Sequence, residues 1–150
     1  KNDCALSFTS YQIVDHQNRV HPYIIQATPK VTYQNLKFFN PIGCLTVMYD
    51  SLKIEKLKFP TDYVFQEDYV LWVNTLRSVP HSFYGINTPL AFYRLHPQNR
   101  SGNKWKVALY HWQVVYKRCF HWNFFQKLYF FPFYIFASIS KYSKLRMPSS

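Results

Sequence analysis

An amphipathic segment that begins at Glu67 and Asp68 constrains the fold of this chain more than any other feature. The apolar residues after the acidic pair recur at helical spacing, at Val70, Leu71, Val73, Leu76 and Val79. Acidic residues in the first turn and Arg77 near the end suit the dipole of a helix. We therefore expect a helix that begins at Glu67 and is closed by Pro80.

Strand-like patterns lie on both sides of this helix. Residues 4–11 alternate between small or apolar and polar side chains, and residues 20–26 are expected to form the return strand of a hairpin. Pro22 would place the return strand at an edge of the sheet, because proline cannot donate a hydrogen bond to a neighbouring strand. A buried strand is predicted at 44–49, and two more strands at 81–84 and 89–95, joined by a polar turn at 85–88.

Helices are predicted in three further places. Thr32 is expected to cap a short helix at 33–39. A helix at 105–122 would carry an aromatic face made of Trp105, Leu109, Trp112 and Tyr116. A second, very apolar helix is predicted at 124–142, interrupted by Pro132. These mixed elements predict an α/β or α+β domain, and we favour the α/β class, with a mixed sheet and C-terminal helices.

The composition allows one domain with a real core. The chain has 150 residues, of which 48% are apolar and 21% aromatic, and its low glycine content argues against a glycine-loop nucleotide-binding protein. The net charge of +11 favours anionic partners such as phosphate-rich ligands, nucleic acid or an acidic membrane surface. Its three cysteines are widely spaced and form no CxxC metal site, which favours a reducing compartment.

The acidic pair has two interpretations that the residues alone leave open. No Asp or Glu follows Asp68, so the rest of the chain carries only basic charges. A carboxylate at a helix N-terminus is stabilised by the dipole and kept ionised, which explains the pair as a simple cap. The same placement could hold Asp68 rigidly as a base that accepts a proton from an attacking hydroxyl.

A basic loop follows the last predicted strand. Its basic and hydroxyl side chains suit a diphosphate group. They are Arg94, His96, Arg100 and Ser101. The neutral imidazole of His96 can also ligate a divalent metal ion. The alternative is a solvated basic loop that binds no ligand.

The C-terminal segment is both apolar and basic. The run at 128–139 is too short for an ordinary transmembrane helix and contains a proline. Its basic flanking residues are Lys127, Lys141, Lys144 and Arg146. This pattern favours a helix that lies in an anionic membrane interface, with a buried helix, a subunit interface and a nucleic-acid surface as alternatives. We accordingly divide the chain into a domain at 1–122 and a membrane-associating helical tail at 123–150.

Four segments occur in the order found in a known enzyme family. They are SFTSY at 7–11, NPIGCLTVMYD at 40–50, FPTDYVFQEDYVLWVNTL at 59–76 and YGINTPLAFYRLHPQNRSGNK at 84–104. In this order the chain resembles the C-terminal, acceptor-side half of family 2 glycosyltransferases with a GT-A fold, especially bacterial enzymes that build surface polysaccharides. The resemblance covers most of residues 4–118 and implies a partial GT-A domain.

The resemblance assigns roles to individual residues. Asp68 corresponds to the general base of an inverting sugar transfer, and Glu67 and Trp72 correspond to the acceptor pocket. The residues that correspond to contacts with the donor diphosphate or its metal are Tyr93, Arg94, His96 and Ser101, and Arg100 of the same basic loop is expected to add positive charge there.

The resemblance also implies partners and a location. The partners are a nucleotide-sugar donor, a glycan or lipid-linked acceptor, and a divalent cation, Mg or Mn, bound mainly by residues upstream of Lys1. The missing nucleotide-binding half is expected there too, so the chain alone should be inactive. The expected location is the cytoplasm, peripheral on the inner face of the cell membrane, and nucleic acid is not an expected partner. A non-catalytic membrane- or partner-binding module, in which Glu67 and Asp68 only cap a helix, is the alternative function.

Overall fold

A mixed β-sheet and a set of helices make up the described part of the computed structural model, which comprises residues 4–63, 65–79, 83–95 and 104–143. The strands are β1 (Leu6–Val14), β2 (Val20–Ile25), β3 (Lys30–Val31), β4 (Met48–Tyr49) and β5 (Phe83–Arg94). The helices are α1 (Tyr33–Leu36), α2 (Glu67–Ser78), α3 (Lys104–Tyr110) and α4 (Phe124–Ser143), with a 3₁₀ turn at Cys44–Thr46 and a π-helical segment at His111–Cys119. The predicted α/β class, with a mixed sheet and C-terminal helices, is confirmed.

Strand β1 lies at the centre of the sheet. The strand order is β2-β1-β5-β3, and β4 pairs with the N-terminal end of β1. Strand β1 runs parallel to β5 and antiparallel to β2 and β4. The predicted hairpin is therefore confirmed, and Pro22 lies in the edge strand β2 as expected. The parallel pairing of β1 with β5 needs a crossover connection, and α2 lies within that connection.

One long strand, β5, replaces the two short strands that were predicted, so the prediction of a turn between them was wrong. Between Thr9 and Ser10 of β1 the paired residue on β5 changes from Ile86 to Pro89. The extra residues on β5 form a bulge in an extended strand, because pairing with β1 continues on both sides of them. Asn87 in this bulge accepts a hydrogen bond from Ser10 Oγ (2.9 Å). The first two residues of the predicted strand lie outside the described ranges.

The segment at 44–49, predicted as a buried strand, is mostly exposed, so that prediction was wrong. It forms the 3₁₀ turn followed by β4, and Met48 is 73% exposed. Within the described ranges, β4 pairs only with Leu6 and Ser7. The apolar and β-branched residues of this run favour a buried strand. The run is not buried because, among the described residues, it pairs with a single neighbouring strand.

Helix α2 supplies much of the core and begins at Glu67, as predicted. It ends at Ser78, and Pro80, the expected closing residue, lies outside the described ranges. The buried residues of the helix are Tyr69, Val70, Leu71, Trp72, Val73, Thr75 and Leu76. All of them except Thr75 belong to one apolar cluster with buried side chains of β1, α1 and the π-helical segment. The packing on several sides fixes the first turn of α2 in place.

Helix α1 begins after Thr32, as predicted. Thr32 Oγ1 accepts the backbone N–H of Asn35 (3.4 Å), and Asn35 Oδ1 accepts the backbone N–H of Thr32 (2.8 Å), which makes a reciprocal cap. The helix ends at Leu36, before its predicted end. Beyond it, the ring of Phe38 meets Phe130 of α4 at 5.1 Å between centroids, so this end of α1 is attached to the C-terminal helix.

The C-terminal helices differ from the prediction in two respects. The expected helix at 105–122 is divided between α3 and the π-helical segment, whose wider turns break the predicted aromatic face. Trp105 is 81% exposed, whereas Tyr116 is buried. Helix α4 continues through Pro132, which was expected to interrupt it. None of the helices in the described ranges combines the length and hydropathy that crossing a bilayer requires.

Candidate active site

Asp68 lies in the first turn of α2 and is half-buried. Its Oδ1 accepts the backbone N–H of Tyr69 (2.7 Å), and its Oδ2 lies 3.5 Å from the side-chain nitrogen of Asn40. The partial positive charge at a helix N-terminus favours the ionised carboxylate. The carboxylate is therefore oriented and only partly buried, as a general base requires.

Asn40 is held in position by the loop that follows α1. Its Oδ1 accepts the backbone N–H of Ile42 (3.1 Å), which directs its amide nitrogen towards Asp68. The same loop is anchored on the sheet, because Thr46 Oγ1 accepts the backbone N–H of Thr9 in β1 (3.1 Å). The partner of Asp68 is thus supported by the central strand.

Cys44 begins the 3₁₀ turn, four residues after Asn40 in the same loop. Partial burial, followed by the nearby carboxylates of Asp68 and Glu67, raises the pKa of the Cys44 thiol. A raised pKa keeps the sulfur protonated near neutral pH, so Cys44 is not an activated nucleophile. Sequence analysis included 40–50 among the segments that resemble glycosyltransferases but did not assign a role to Asn40 or Cys44.

Trp72, predicted to contact the acceptor, lies in the core. Its side chain is 1% exposed and meets the ring of Phe83 edge-on, at 6.5 Å between centroids. Its indole N–H has no hydrogen-bond partner within the described part of the chain. A side chain buried to this extent presents almost no surface to a ligand, and its acceptor role stays a prediction.

Arg94 lies at the end of β5 and is bound to the β1–β2 hairpin. One guanidinium nitrogen, Nη1, donates to the backbone oxygen of Asp15 (3.1 Å) and to Oδ1 of Asn18 (2.6 Å). Strand β5 pairs Arg94 with the last residue of β1, whereas the loop that carries Asn40 is anchored about half-way along that strand. Arg94 and the point where this loop is anchored therefore lie at different levels of the sheet.

The other predicted donor-site residues, His96, Arg100 and Ser101, lie outside the described ranges, and their roles stay predictions. Within 4–63, 65–79, 83–95 and 104–143, no three His, Cys, Asp or Glu side chains converge closely enough to hold a metal ion. The predicted Mg or Mn ion, expected to be bound mainly by residues upstream of Lys1, stays a prediction.

A buried cluster behind the acidic pair contains residues that sequence analysis did not assign. The side-chain amide of Gln66, immediately before α2, joins His111 Nδ1 (2.6 Å) and the hydroxyl of Tyr134 (2.9 Å). His111 is fully buried, and burial lowers its pKa well below the ordinary value, so the imidazole is neutral. No spacing in the sequence distinguishes His111 from the other scattered histidines, and only its tertiary contacts reveal it.

Relatives match this chain over nearly its whole length. A Bacillus subtilis (strain 168) protein, assigned by name to teichuronic acid biosynthesis as a glycosyltransferase, is 30% identical over 141 residues, which are 94% of this chain and 55% of the relative. The chain is similar to bacterial glycosyltransferases. The UDP-Glc:alpha-D-GlcNAc-diphosphoundecaprenol beta-1,3-glucosyltransferase of Escherichia coli is 30% identical over 143 residues, 95% of this chain and 54% of that enzyme. An uncharacterized glycosyltransferase of Haemophilus influenzae is 26% identical over 145 residues, 96% of this chain and 56% of the relative.

The chain spans about half the length of the curated relatives it matches. No protein-family model matches it, and no solved structure does. The resemblance to glycosyltransferases is confirmed by these relatives. Membership of family 2, the GT-A fold and a position in the C-terminal half stay predictions.

Proposed function

We propose that this chain is the acceptor-side part of an inverting family 2 glycosyltransferase with a GT-A fold. The enzyme would move a sugar from a nucleotide-sugar donor to a hydroxyl of a glycan or lipid-linked acceptor in cell-surface polysaccharide synthesis. One observation carries the proposal: the half-buried carboxylate of Asp68, oriented by Asn40 at a helix N-terminus. Relatives named as glycosyltransferases, which match 94–96% of the chain, support it.

In the proposed reaction, Asp68 is the base. As the acceptor hydroxyl oxygen attacks the anomeric carbon of the donor, the hydroxyl proton moves to a carboxylate oxygen of Asp68. A new bond forms between that carbon and the acceptor oxygen, while the bond to the diphosphate oxygen breaks. The nucleoside diphosphate leaves with the electron pair of the broken bond. Attack from the face opposite the leaving group inverts the anomeric configuration.

Asn40 and Glu67 complete the acceptor side in this proposal. Asn40 is itself fixed by the backbone of its loop, so it can hold the Asp68 carboxylate without rearranging. Glu67 is half-buried on the same helical turn and would accept a hydrogen bond from a second hydroxyl of the acceptor sugar. Such fixed groups favour catalysis because they cost no reorganisation during the reaction.

The donor diphosphate would lie towards the C-terminal end of β5. Its proposed contacts are Arg94, His96, Arg100 and Ser101. Positive charge at this position offsets the negative charge that develops on the leaving group. A divalent cation, Mg or Mn, would be bound mainly by residues outside the described ranges. When bound, it would supply further positive charge to the diphosphate.

Helix α4 supports a peripheral location at the inner face of the cell membrane. The large apolar side chains that it exposes are Phe124, Phe125, Leu128, Tyr129, Phe133, Phe136 and Ile139. Phe125 and Phe136, which are 77% and 75% exposed, lie about three turns apart on one side of the helix. On the inner side, the ring of Phe130 stacks on Trp122 (4.4 Å). Because no acidic residue follows Asp68, the outer face suits an anionic lipid surface that also carries the lipid-linked acceptor.

Replacing Phe125 and Phe136 together with serine should weaken binding of the full-length protein to anionic vesicles. We expect about tenfold weaker binding per residue, because burying a phenylalanine is worth roughly 1.5–3 kcal/mol. Co-sedimentation with phosphatidylglycerol vesicles measures the binding. Trp105→Ser, which removes an exposed aromatic from α3, is the matched control and should bind like the wild type.

Equal vesicle binding by the double variant and the wild type would contradict the membrane proposal. If light scattering shows that the double variant loses a dimer while vesicle binding stays unchanged, the outer face of α4 joins two copies of the chain instead.

Transfer itself is tested on the full-length protein, with a set of nucleotide sugars and an undecaprenyl-diphosphate-linked sugar as acceptor. The expected product is an acceptor heavier by one sugar residue, with one nucleoside diphosphate released per transfer. Mass spectrometry of the extracted lipid and a diphosphate assay measure the two products. Absence of transfer by a folded protein to both lipid-linked and free glycan acceptors would overturn the proposal, and steeply salt-dependent oligonucleotide binding in that case would support a nucleic-acid-binding protein.

A further inference from the structure

Gln66 determines where α2 begins. It has a left-handed backbone conformation, with φ 57° and ψ 29°, which residues with a Cβ atom adopt rarely. Its backbone oxygen accepts the N–H of Val70 (3.0 Å), which is the first hydrogen bond of the helix. Asp68 follows two residues later, so its position depends on how Gln66 is held.

The side chain of Gln66 does not cap the helix that it precedes. It reaches instead to the C-terminal helices, where Nε2 donates to the hydroxyl of Tyr134 in α4 (2.9 Å). Its Oε1 faces His111 Nδ1 (2.6 Å), and with the amide in this orientation the Nδ1–H tautomer of the neutral imidazole donates to it. The other ring nitrogen of His111, Nε2, is buried with no partner among the described residues. One amide thus joins three separate elements.

The imidazole of His111 cannot turn away from Gln66. Its ring stacks on Tyr134, with 3.7 Å between the ring centroids and 6° between the ring planes. It also stacks on Tyr69 of α2, with 5.3 Å between the centroids and 16° between the planes. Tyr116 meets it edge-on at 4.4 Å. A hydrogen-bond partner packed this closely provides a rigid anchor, and the strained backbone of Gln66 is the kind that persists only where the surroundings fix it.

We propose that Gln66 is a positioning residue for Asp68, through which His111 and Tyr134 fix the first turn of α2 to the C-terminal helices. This inference rests on the proposed function of Asp68. The inference also assigns a role to the fully buried His111, whose neutral and immobile imidazole donates one N–H to Gln66. It also joins Asp68 to α4, the helix proposed to lie on the membrane.

The test is Gln66→Gly in the full-length enzyme. Glycine accepts the left-handed backbone without strain but removes both hydrogen bonds of the side chain. We expect kcat to fall at least tenfold with KM for the donor unchanged, because small displacements of a catalytic group are costly to turnover. His121→Gly is the matched control: His121 is exposed, has φ 55° and lies between the π-helical segment and α4. Its kcat should equal that of the wild type.

A second measurement does not depend on turnover. Burial and then the carboxylates of Asp68 and Glu67 raise the pKa of the Cys44 thiol, so displacing the first turn of α2 should lower that pKa towards the ordinary value. We expect alkylation of Cys44 below its pKa to become roughly threefold faster in Gln66→Gly and to stay unchanged in His121→Gly. Mass spectrometry of the tryptic peptide that spans 38–53 measures alkylation of Cys44 alone.

The outcomes separate this inference from the proposed function. If Asp68→Asn abolishes turnover while Gln66→Gly changes only thermal stability, with wild-type kcat and Cys44 alkylation, the positioning role is wrong and the function stands. If no variant or wild-type protein transfers sugar, the function fails, and the Cys44 measurement alone decides whether Gln66 fixes the first turn of α2.

Discussion

An Asp68→Asn substitution in the full-length enzyme is expected to lower kcat by about 10²- to 10⁴-fold, because a positioned base typically contributes this much and an amide cannot accept the proton. Asparagine has nearly the same shape as aspartate and retains a side-chain oxygen for the backbone N–H of Tyr69, so the fold should survive. The effect should appear in kcat, with KM for the donor little changed, because the proposed base acts on the acceptor hydroxyl in the transition state and does not bind the donor. Nucleoside diphosphate release at saturating donor and acceptor measures it.

Glu67→Gln is the matched control, since it removes a charge from the same helical turn without removing the proposed base. We expect its kcat to stay within about tenfold of the wild type, outside the range typical of a general base. A loss smaller than tenfold in Asp68→Asn would contradict the proposed role. The alternative, a simple cap, predicts a loss of only about 0.3–1 kcal/mol in the free energy of unfolding and no loss of function.

The sequence was sufficient to predict the helix that carries the candidate base. The start of α2 follows from local physics, because acidic residues in its first turn and apolar residues at helical spacing favour the same structure. The hairpin of β1 and β2 and the cap at Thr32 were also predictable, since each depends on neighbours within the same short segment.

Elements that depend on distant pairing were not predictable. Residues 85–88 look like a turn in isolation, and they remain extended because β1 pairs with Gly85 and Ile86 and again with Pro89. The run at 44–49 looks like a buried strand, yet only two residues of β1 pair with it. In both cases the strand partner, which is far away in the sequence, determines the outcome.

The side chains around Asp68 could not be predicted from the sequence either. Asn40 lies 28 residues before Asp68, and His111 lies 45 residues after Gln66, so no local pattern joins either pair. Sequence analysis could identify a carboxylate in a suitable place, but the side chains that orient it come from a loop on the sheet and from the π-helical segment.

Truncating Trp72 to alanine is expected to lower the free energy of unfolding by about 3–5 kcal/mol, the usual cost of removing a buried aromatic side chain. Trp72 is among the largest fully buried side chains of the described part, and it fills the space between α2 and Phe83 at the start of β5. The cavity left behind would weaken the packing that fixes α2 on the sheet. The midpoint of urea denaturation, followed by circular dichroism, measures the effect.

Trp72→Phe is the variant that separates a core role from the predicted acceptor role, and it remains informative if the alanine variant does not fold. Phenylalanine keeps an aromatic ring against Phe83 and removes an indole N–H that lacks a partner among the described residues, so the stability loss should stay below about 2 kcal/mol. If Trp72 acts only through packing, KM for the acceptor stays at the wild-type value in this variant. A several-fold rise in that KM at nearly unchanged stability would mean that the indole contacts the acceptor, and that the core around α2 opens when the acceptor binds.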